Sequence, residues 1–340
     1  MQSRRSMTGI ALAVLSAAAF GSGGAFVPPL LEAGWSAGAA SVVRTGGAAL
    51  VLAIPAILAL RGRWRDVGRQ WVRVAAYGGL AIAGTQLAYY LALARIPVGT
   101  ALMIEYLAPV LLVIVTAVLA RRFPARTVVL GSVLALGGLA LVLEVGGQGP
   151  GALSGVLFAL AAAVLCASYF ALSASIDLPP VGTAGLGMAG ATLSTALFAA
   201  LGVVPFSWST RSVEFGGATL SPLVLLVFIT LIATVAAYLT GIGAARLLGG
   251  RRASFLALGE VLAAIVVAAL LLGQIPGPLQ LLGAAVLLAG IVLVLRDGGA
   301  PASVTTDDGP GAAGADRERA AEEPRVADPA TGVPGATLEA

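Results

Sequence analysis

The apolar residues of this chain come in long uninterrupted blocks, with whole stretches of about 20 residues free of charge, the length an α-helix needs to cross the hydrocarbon of a bilayer. The blocks lack the alternation of a membrane barrel, and an open strand edge in lipid would leave backbone groups unpaired. With 59% hydrophobic and 11% charged residues in a chain of 340, a water-soluble fold cannot hide the apolar surface. The expected fold is therefore an all-α integral membrane protein.

Ten apolar runs predict transmembrane helices over 7–29, 37–60, 74–94, 98–120, 126–145, 151–174, 182–205, 221–244, 254–273 and 277–295. The first run follows Arg4 and Arg5 as a signal peptide would, but it continues to Val27, too long for a signal core. If ten helices alternate, Arg4, Arg5, Arg61, Arg63, Arg65, Arg69, Arg73, Arg121, Arg122, Arg126, Arg246, Arg251, Arg252 and Arg296 fall on one side. The opposite loops hold Arg95 and Arg211, and the loop around Asp177 carries no basic residue. Positive charge is retained on the cytoplasmic side, so both termini are expected there, in a multi-pass protein of the cell membrane. Trp35, Trp64, Trp71 and Trp208 lie near helix boundaries and read as interfacial anchors. Beyond Arg296 nine acids stand against three arginines, the composition of a disordered acidic tail over 297–340.

Several chemistries are excluded early. The chain has no His, and its single Cys, Cys166, sits in an apolar run and reads as a small buried hydrophobe. No metal site, disulfide or cofactor is expected, and no Gly-rich loop with Lys is present to hold a nucleotide. All 20 basic residues are Arg and cluster in short loops, so no nucleic-acid partner is implied.

The two halves resemble each other. Thr85, Ala88 and Tyr89 match Thr234, Ala237 and Tyr238; further on, Gly131 and Gly138 match Gly283 and Gly290. Five helices per repeat is an odd number, so the second copy enters the membrane from the opposite side, giving two inverted five-helix repeats over 1–147 and 148–296. Inverted repeats are the architecture of alternating-access transporters.

The stretch LGEVLAAIVVAALLLGQIPGPLQLLGAAVLLAGIVLVL, residues 258–295, resembles the ninth and tenth helices of the EamA transporters of the drug/metabolite transporter superfamily. IPVGTAL at 96–102 and IEYLAPV at 104–110 look like the fourth helix of the branch related to threonine/homoserine exporters. The resemblance covers residues 7–296 and implies ten helices as two EamA repeats and a secondary transporter of small metabolites. Family members have Glu-Pro where Glu260 and Val261 stand and Gly-Glu where Gly273 and Gln274 stand, so neither that kink nor that second acid carries over.

A charge at membrane depth needs a partner or a water-filled path, which makes Arg44, Glu105, Arg246 and Glu260 the first candidates for a site. Pro109 lies four residues after Glu105 and removes the donor for its carbonyl, so a free acceptor and a carboxylate coincide at one level. A cation, an amine or a proton can be held there; the other reading of Glu105 is an ion pair with Arg44 or a capped interfacial position. Arg44 either binds a substrate carboxylate or neutralises Glu105. Glu260 is placed to pair with Arg246 or Arg252. Gln86 and Tyr90 share a helix face, and with Tyr106 they offer polar and flat apolar contacts to an amphipathic solute; each is also read as an anchor or packing residue.

The expected function is secondary transport of small metabolites, outward movement of amino acids or related amphipathic compounds, with a proton among the candidate partners. The other readings are a membrane-embedded enzyme built on a Glu105–Glu260 dyad, and a sensor or assembly subunit whose acidic tail binds a partner. The first half carries its acid beside a proline and the second lacks the kink, which places the expected active gate near Glu105.

Overall fold

The computed structural model describes residues 2–119, 121, 125–142, 152–249 and 256–297. The acidic tail beyond Asp297, the repeat boundary at 147/148 and Arg122, Arg251 and Arg252 lie outside them. Residues 1–305 form one compact unit, so helices of both halves share a single packed body.

The chain is helical almost throughout. Gln2–Gly23 runs through a 3-10 turn at Gly24–Phe26 into Val27–Glu32, and Ala37–Ala59 follows. After a short helix Trp64–Arg69, the segment Trp71–Ala76 continues through a π-helical turn at Tyr77–Ile82 into Ala83–Leu93. Val98–Glu105, Ala108–Leu119 and Arg126–Val142 complete the first half. The second half comprises Ala152–Ser175, Pro180–Ala200, then Pro222–Thr230 joined by a π turn at Leu231–Ala236 to Ala237–Leu248, and last Gly259–Leu272 and Pro278–Asp297.

Local chemistry sets several boundaries. Ser36 caps Ala37–Ala59 by accepting from the Ala39 amide at 3.2 Å, and prolines open Pro180–Ala200 and Pro222–Thr230, where the missing N–H is harmless. Gly273, with φ of 67°, stops Gly259–Leu272 in the left-handed region.

Among the described residues seven helical spans are long and apolar enough to cross a membrane: Ser6–Glu32, Ala37–Ala59, Val98–Val115, Ala152–Ser175, Pro180–Ala200, Pro222–Leu248 and Pro278–Arg296. Seven rather than ten meet that standard. Arg126–Val142, which borders residues outside the described set, and Gly259–Leu272 are apolar but shorter, and the helix expected at 74–94, which carries Thr85, Gln86, Tyr89 and Tyr90, is not among the seven.

Four features depart from the sequence expectation. The single helix expected over 98–120 is two, and the run expected to continue to 205 ends at Ala200. A two-stranded antiparallel hairpin, Val213–Phe215 with Ala218–Leu220, follows it; Gly216 and Gly217 turn it with φ of 60° and 80°, conformations that suit glycine in tight hairpin turns. Trp35 is buried rather than interfacial, and its indole N–H donates to the Ser209 carbonyl at 2.8 Å.

Two long antiparallel pairs organise the packing. Against Arg126–Val142 lies Pro278–Asp297, so close that a Cβ on Gly138 would stand 2.4 Å from the Leu287 amide nitrogen and 2.6 Å from the Gly283 carbonyl oxygen. At the other end of the same contact a Cβ on Gly131 would meet the Gly290 carbonyl at 2.7 Å. Small residues let the backbones touch, the usual basis of helix association in lipid. The second pair, Ala37–Ala59 with Pro180–Ala200, also runs antiparallel, with Gly185 over Ala56 and Thr192 Oγ1 bonded to Thr45 Oγ1 at 2.9 Å.

The two ends of the helix body are closed differently. At one, Arg63 pairs with Asp66 at 3.0 Å and reaches Asp177 Oδ2 at 3.4 Å, while Gln70 accepts from the Asp177 amide and Arg73 donates to the Ser175 carbonyl. The loop at Asp177 has no basic residue of its own and is served by an arginine from the first half. At the opposite end the Ser36 amide donates to the Ser207 carbonyl at 3.0 Å, the Ser207 amide donates back to Ser36 Oγ at 3.0 Å, and Phe26 stacks on Phe228 beside Phe215.

The glycine contacts make a paired prediction. Gly138→Ala is expected to destabilise the protein by about 1–3 kcal/mol through overpacking, while Gly137→Ala, where nothing lies within 4 Å, should be neutral or slightly stabilising. Thermal melting of the two variants in detergent checks this; equal melting temperatures would mean the contact is not tight.

Candidate functional site

The interrupted helices converge on one cavity of about 360 Å³. The helix that carries Glu105 stops there: the Tyr106 amide bonds to the Leu102 carbonyl at 2.9 Å and the Leu107 amide to the Ile104 carbonyl at 3.1 Å, before a new helix begins at Ala108. Pro109 falls in the first turn of that new helix, where a missing N–H is tolerated. Glu105, Tyr106 and Pro109 all line the cavity. Opposite them the 3-10 turn brings Gly24 so close that a Cβ would stand 2.7 Å from Tyr89 Oη, which a larger residue would displace.

Arg44 projects from Ala37–Ala59 onto the cavity wall and ties three helices together. Its Nε donates to Thr234 Oγ1 at 2.7 Å, Nη1 to Tyr90 Oη at 3.2 Å and Nη2 to the Ala233 carbonyl at 3.5 Å. Thr234 and Ala233 belong to the second π turn, and Thr234 Oγ1 in turn donates to the Ile229 carbonyl at 2.8 Å. A π turn widens the helix and frees carbonyls for outside donors, which is why such turns recur at functional positions. Three of the five guanidinium N–H groups are used by protein acceptors, leaving two.

The other polar cluster joins the halves. Tyr106 Oη donates to Glu260 Oε2 at 2.7 Å and lies 3.0 Å from the Ala257 carbonyl, and Glu260 lines the cavity beside Glu105. Glu260 therefore pairs with a tyrosine hydroxyl instead of Arg246; Arg252 is outside the described residues. Among the described residues Glu105 forms no ion pair with Arg44 and accepts no hydrogen bond. Gln86 lines the cavity with its Nε2 buried and without a partner, as does its neighbour Thr85 through Oγ1. Tyr90 is fully buried behind the wall and acts on it through Arg44. Gln274, where the resemblance implies an acid, accepts from the Val98 amide at 3.0 Å and so caps the start of Val98–Glu105.

Residues 7–144 and 153–296 each match the EamA-like transporter family model. The chain belongs to the EamA-like transporter family. No curated protein matches the sequence. Among solved structures, one described only as a crystal structure of a protein aligns over 87% of this chain and 98% of its own, with a TM-score of 0.56 and 20% identity, a likeness of fold.

Each matched stretch supplies one of the two acids on the cavity wall, Glu105 from the first and Glu260 from the second. Sequence reasoning missed most of the aromatic wall: Phe20, Tyr169, Phe170 and Tyr238 all line the cavity. Phe20 meets Tyr238 edge-on at 5.1 Å, and Tyr169 meets Phe170 at 5.4 Å. Tyr238 was within reach as the counterpart of Tyr89; Tyr169 and Phe170 lie in an apolar run with nothing to mark which face is inward. Cys166 also lines the cavity, half-buried rather than buried in the core.

Arg44→Lys tests the bridge. A lysine has no planar fork to engage Thr234, Tyr90 and Ala233 together, so a loss of about 1–3 kcal/mol is expected. It should appear as a lower melting temperature in detergent. A variant as stable as the parent would remove Arg44 from the structural account.

Proposed function

We propose that this EamA-like protein is a secondary transporter working by alternating access, with ten helices in two inverted repeats and a substrate site in the cavity that holds Glu105, Arg44 and Glu260. The observation that carries the reading is the cavity itself: it is walled by both matched repeats and lined where helices are interrupted. Non-helical backbone at membrane depth is tolerated where it lines a solute path.

The inversion is supported by the crossing of repeat counterparts. Gly131 and Gly138 touch Gly290 and Gly283, so each glycine meets the counterpart of the other, as across a two-fold axis. Such counterparts run antiparallel when that axis lies in the membrane plane. The cavity reaches from Gly24 and Thr85 toward Ser173, Ala245 and Leu295, at the end where Arg63, Arg73 and Arg296 gather, while Phe26, Phe215 and Phe228 fill the opposite end. With the arginine-rich end cytoplasmic, along with both termini, this is an inward-open shape of a plasma-membrane protein.

The cargo in this reading is an amino acid or a related amphipathic metabolite moved outward, with Glu105 exchanging a proton as the cavity alternates. The groups facing Glu105 in the cavity are Arg44, Glu260, Tyr89, Tyr106 and Cys166. In proteoliposomes the parent is expected to equilibrate such solutes faster than empty vesicles, with a rate that depends on pH. Glu105→Gln should flatten that dependence. An unchanged pH profile in the variant would remove the proton role, and no solute flux by the parent would overturn the transporter reading.

A further inference from the structure

We infer that the cavity is built for a monocationic amine on a flat apolar body, its ammonium group held at the Glu105 carboxylate. The inference rests on the substrate site proposed above and narrows its cargo from amino acids to related amines without a carboxylate.

The charge count of the wall is uneven. Among the described residues two carboxylates, Glu105 and Glu260, face one guanidinium, Arg44, and the remaining lining groups that can ionise are tyrosines and Cys166. An uncompensated charge enclosed at membrane depth is costly, so a state that closes over the cavity has to cancel one negative charge. A monocation at Glu105 does so in one state and a proton there does so in the other, so the two exchange; a zwitterion brings no net charge.

The partners divide the two acids into different roles. Glu260 is engaged by the Tyr106 hydroxyl at 2.7 Å. Glu105 is left as a carboxylate on the wall with no hydrogen bond or ion pair among the described residues. Arg44 is less available to a substrate carboxylate than its charge implies, because Thr234, Tyr90 and the Ala233 carbonyl occupy three of its N–H groups.

The apolar lining fits the rest of such a ligand. Phe20, Tyr169, Phe170 and Tyr238 present aromatic faces and edges to the same space, and aromatic faces attract ammonium groups as well as flat hydrocarbon. The unpartnered Gln86 Nε2 and Thr85 Oγ1 leave room for one neutral polar substituent on the ligand.

The test is calorimetric titration of the purified full chain in detergent with four probes of one shape: 2-phenylethylamine, phenylalanine, 3-phenylpropionate and 2-phenylethanol. The amine is expected to bind at least about tenfold more tightly than each of the others. Glu105→Gln should weaken the amine by about tenfold or more and leave 2-phenylethanol unchanged. Phenylalanine binding as well as the amine would overturn the inference in favour of a zwitterion site; so would tighter binding of the propionate, equal binding of the alcohol, or no binding of the amine. The probe series needs no variant, so a misfolded Glu105→Gln does not rescue the idea. Flux of the same probes in proteoliposomes separates the two readings. Amine binding without flux sinks the transporter and keeps the cation site; flux of phenylalanine without amine binding does the reverse.

Discussion

A backbone N–H or C=O left without a partner in hydrocarbon costs several kcal/mol, by a rough general measure, and nearly every choice this chain makes follows from that. Regular helix satisfies the backbone wherever the chain meets lipid. Four exceptions stand out among the described residues: the turn at Gly24–Phe26, the π turns at Tyr77–Ile82 and Leu231–Ala236, and the break after Glu105. Three of the four contribute residues to the cavity wall, and the fourth supplies the Thr234 hydroxyl and the Ala233 carbonyl to Arg44. Irregular backbone and polar side chains are thus concentrated where each can answer the other.

Around that centre the packing depends on closeness rather than on bulk. Gly131, Gly138, Gly283 and Gly290 bring two helices into backbone contact along their length, and the pair Ala37–Ala59 with Pro180–Ala200 does the same with Gly185 and a threonine–threonine bond. Both pairs join one matched repeat to the other. The repeats are alike in what holds them together and unlike in what they present to the cavity. Tyr106 of the first repeat binds Glu260 of the second, while Glu105 has no hydrogen-bond partner among the described residues.

Much of the scaffold could be read from the sequence because hydrophobic length and charge-free runs report directly on the surrounding lipid. The candidate residues Glu105, Arg44, Glu260, Gln86, Tyr106 and Pro109 stood out for the same reason: polarity or a proline inside an apolar run is conspicuous, and all six line the cavity. Their partners were not legible. Nothing in the spacing of Tyr106 and Glu260, 154 residues apart, announces a bond between them, and charge alone pointed Glu260 toward an arginine. The π turns left no trace because YGGLAI and LIATVA suit a regular membrane helix equally well. The hairpin did leave one, Gly216-Gly217 between two short β-prone triplets, hidden by its place beside a long helical run.

The closures at the two ends of the helix body differ in kind. Around Asp177 the fastening is ionic and lies at the surface; around Trp35 and Ser207 it consists of neutral hydrogen bonds over an aromatic stack. Mobile ions screen exposed charges over a distance of about 8 Å at physiological ionic strength, whereas neutral bonds are nearly indifferent to salt. Ionic strength therefore acts on one end of this molecule and not on the other, and the balance between its two faces is coupled to the electrolyte on the side where Arg63 sits.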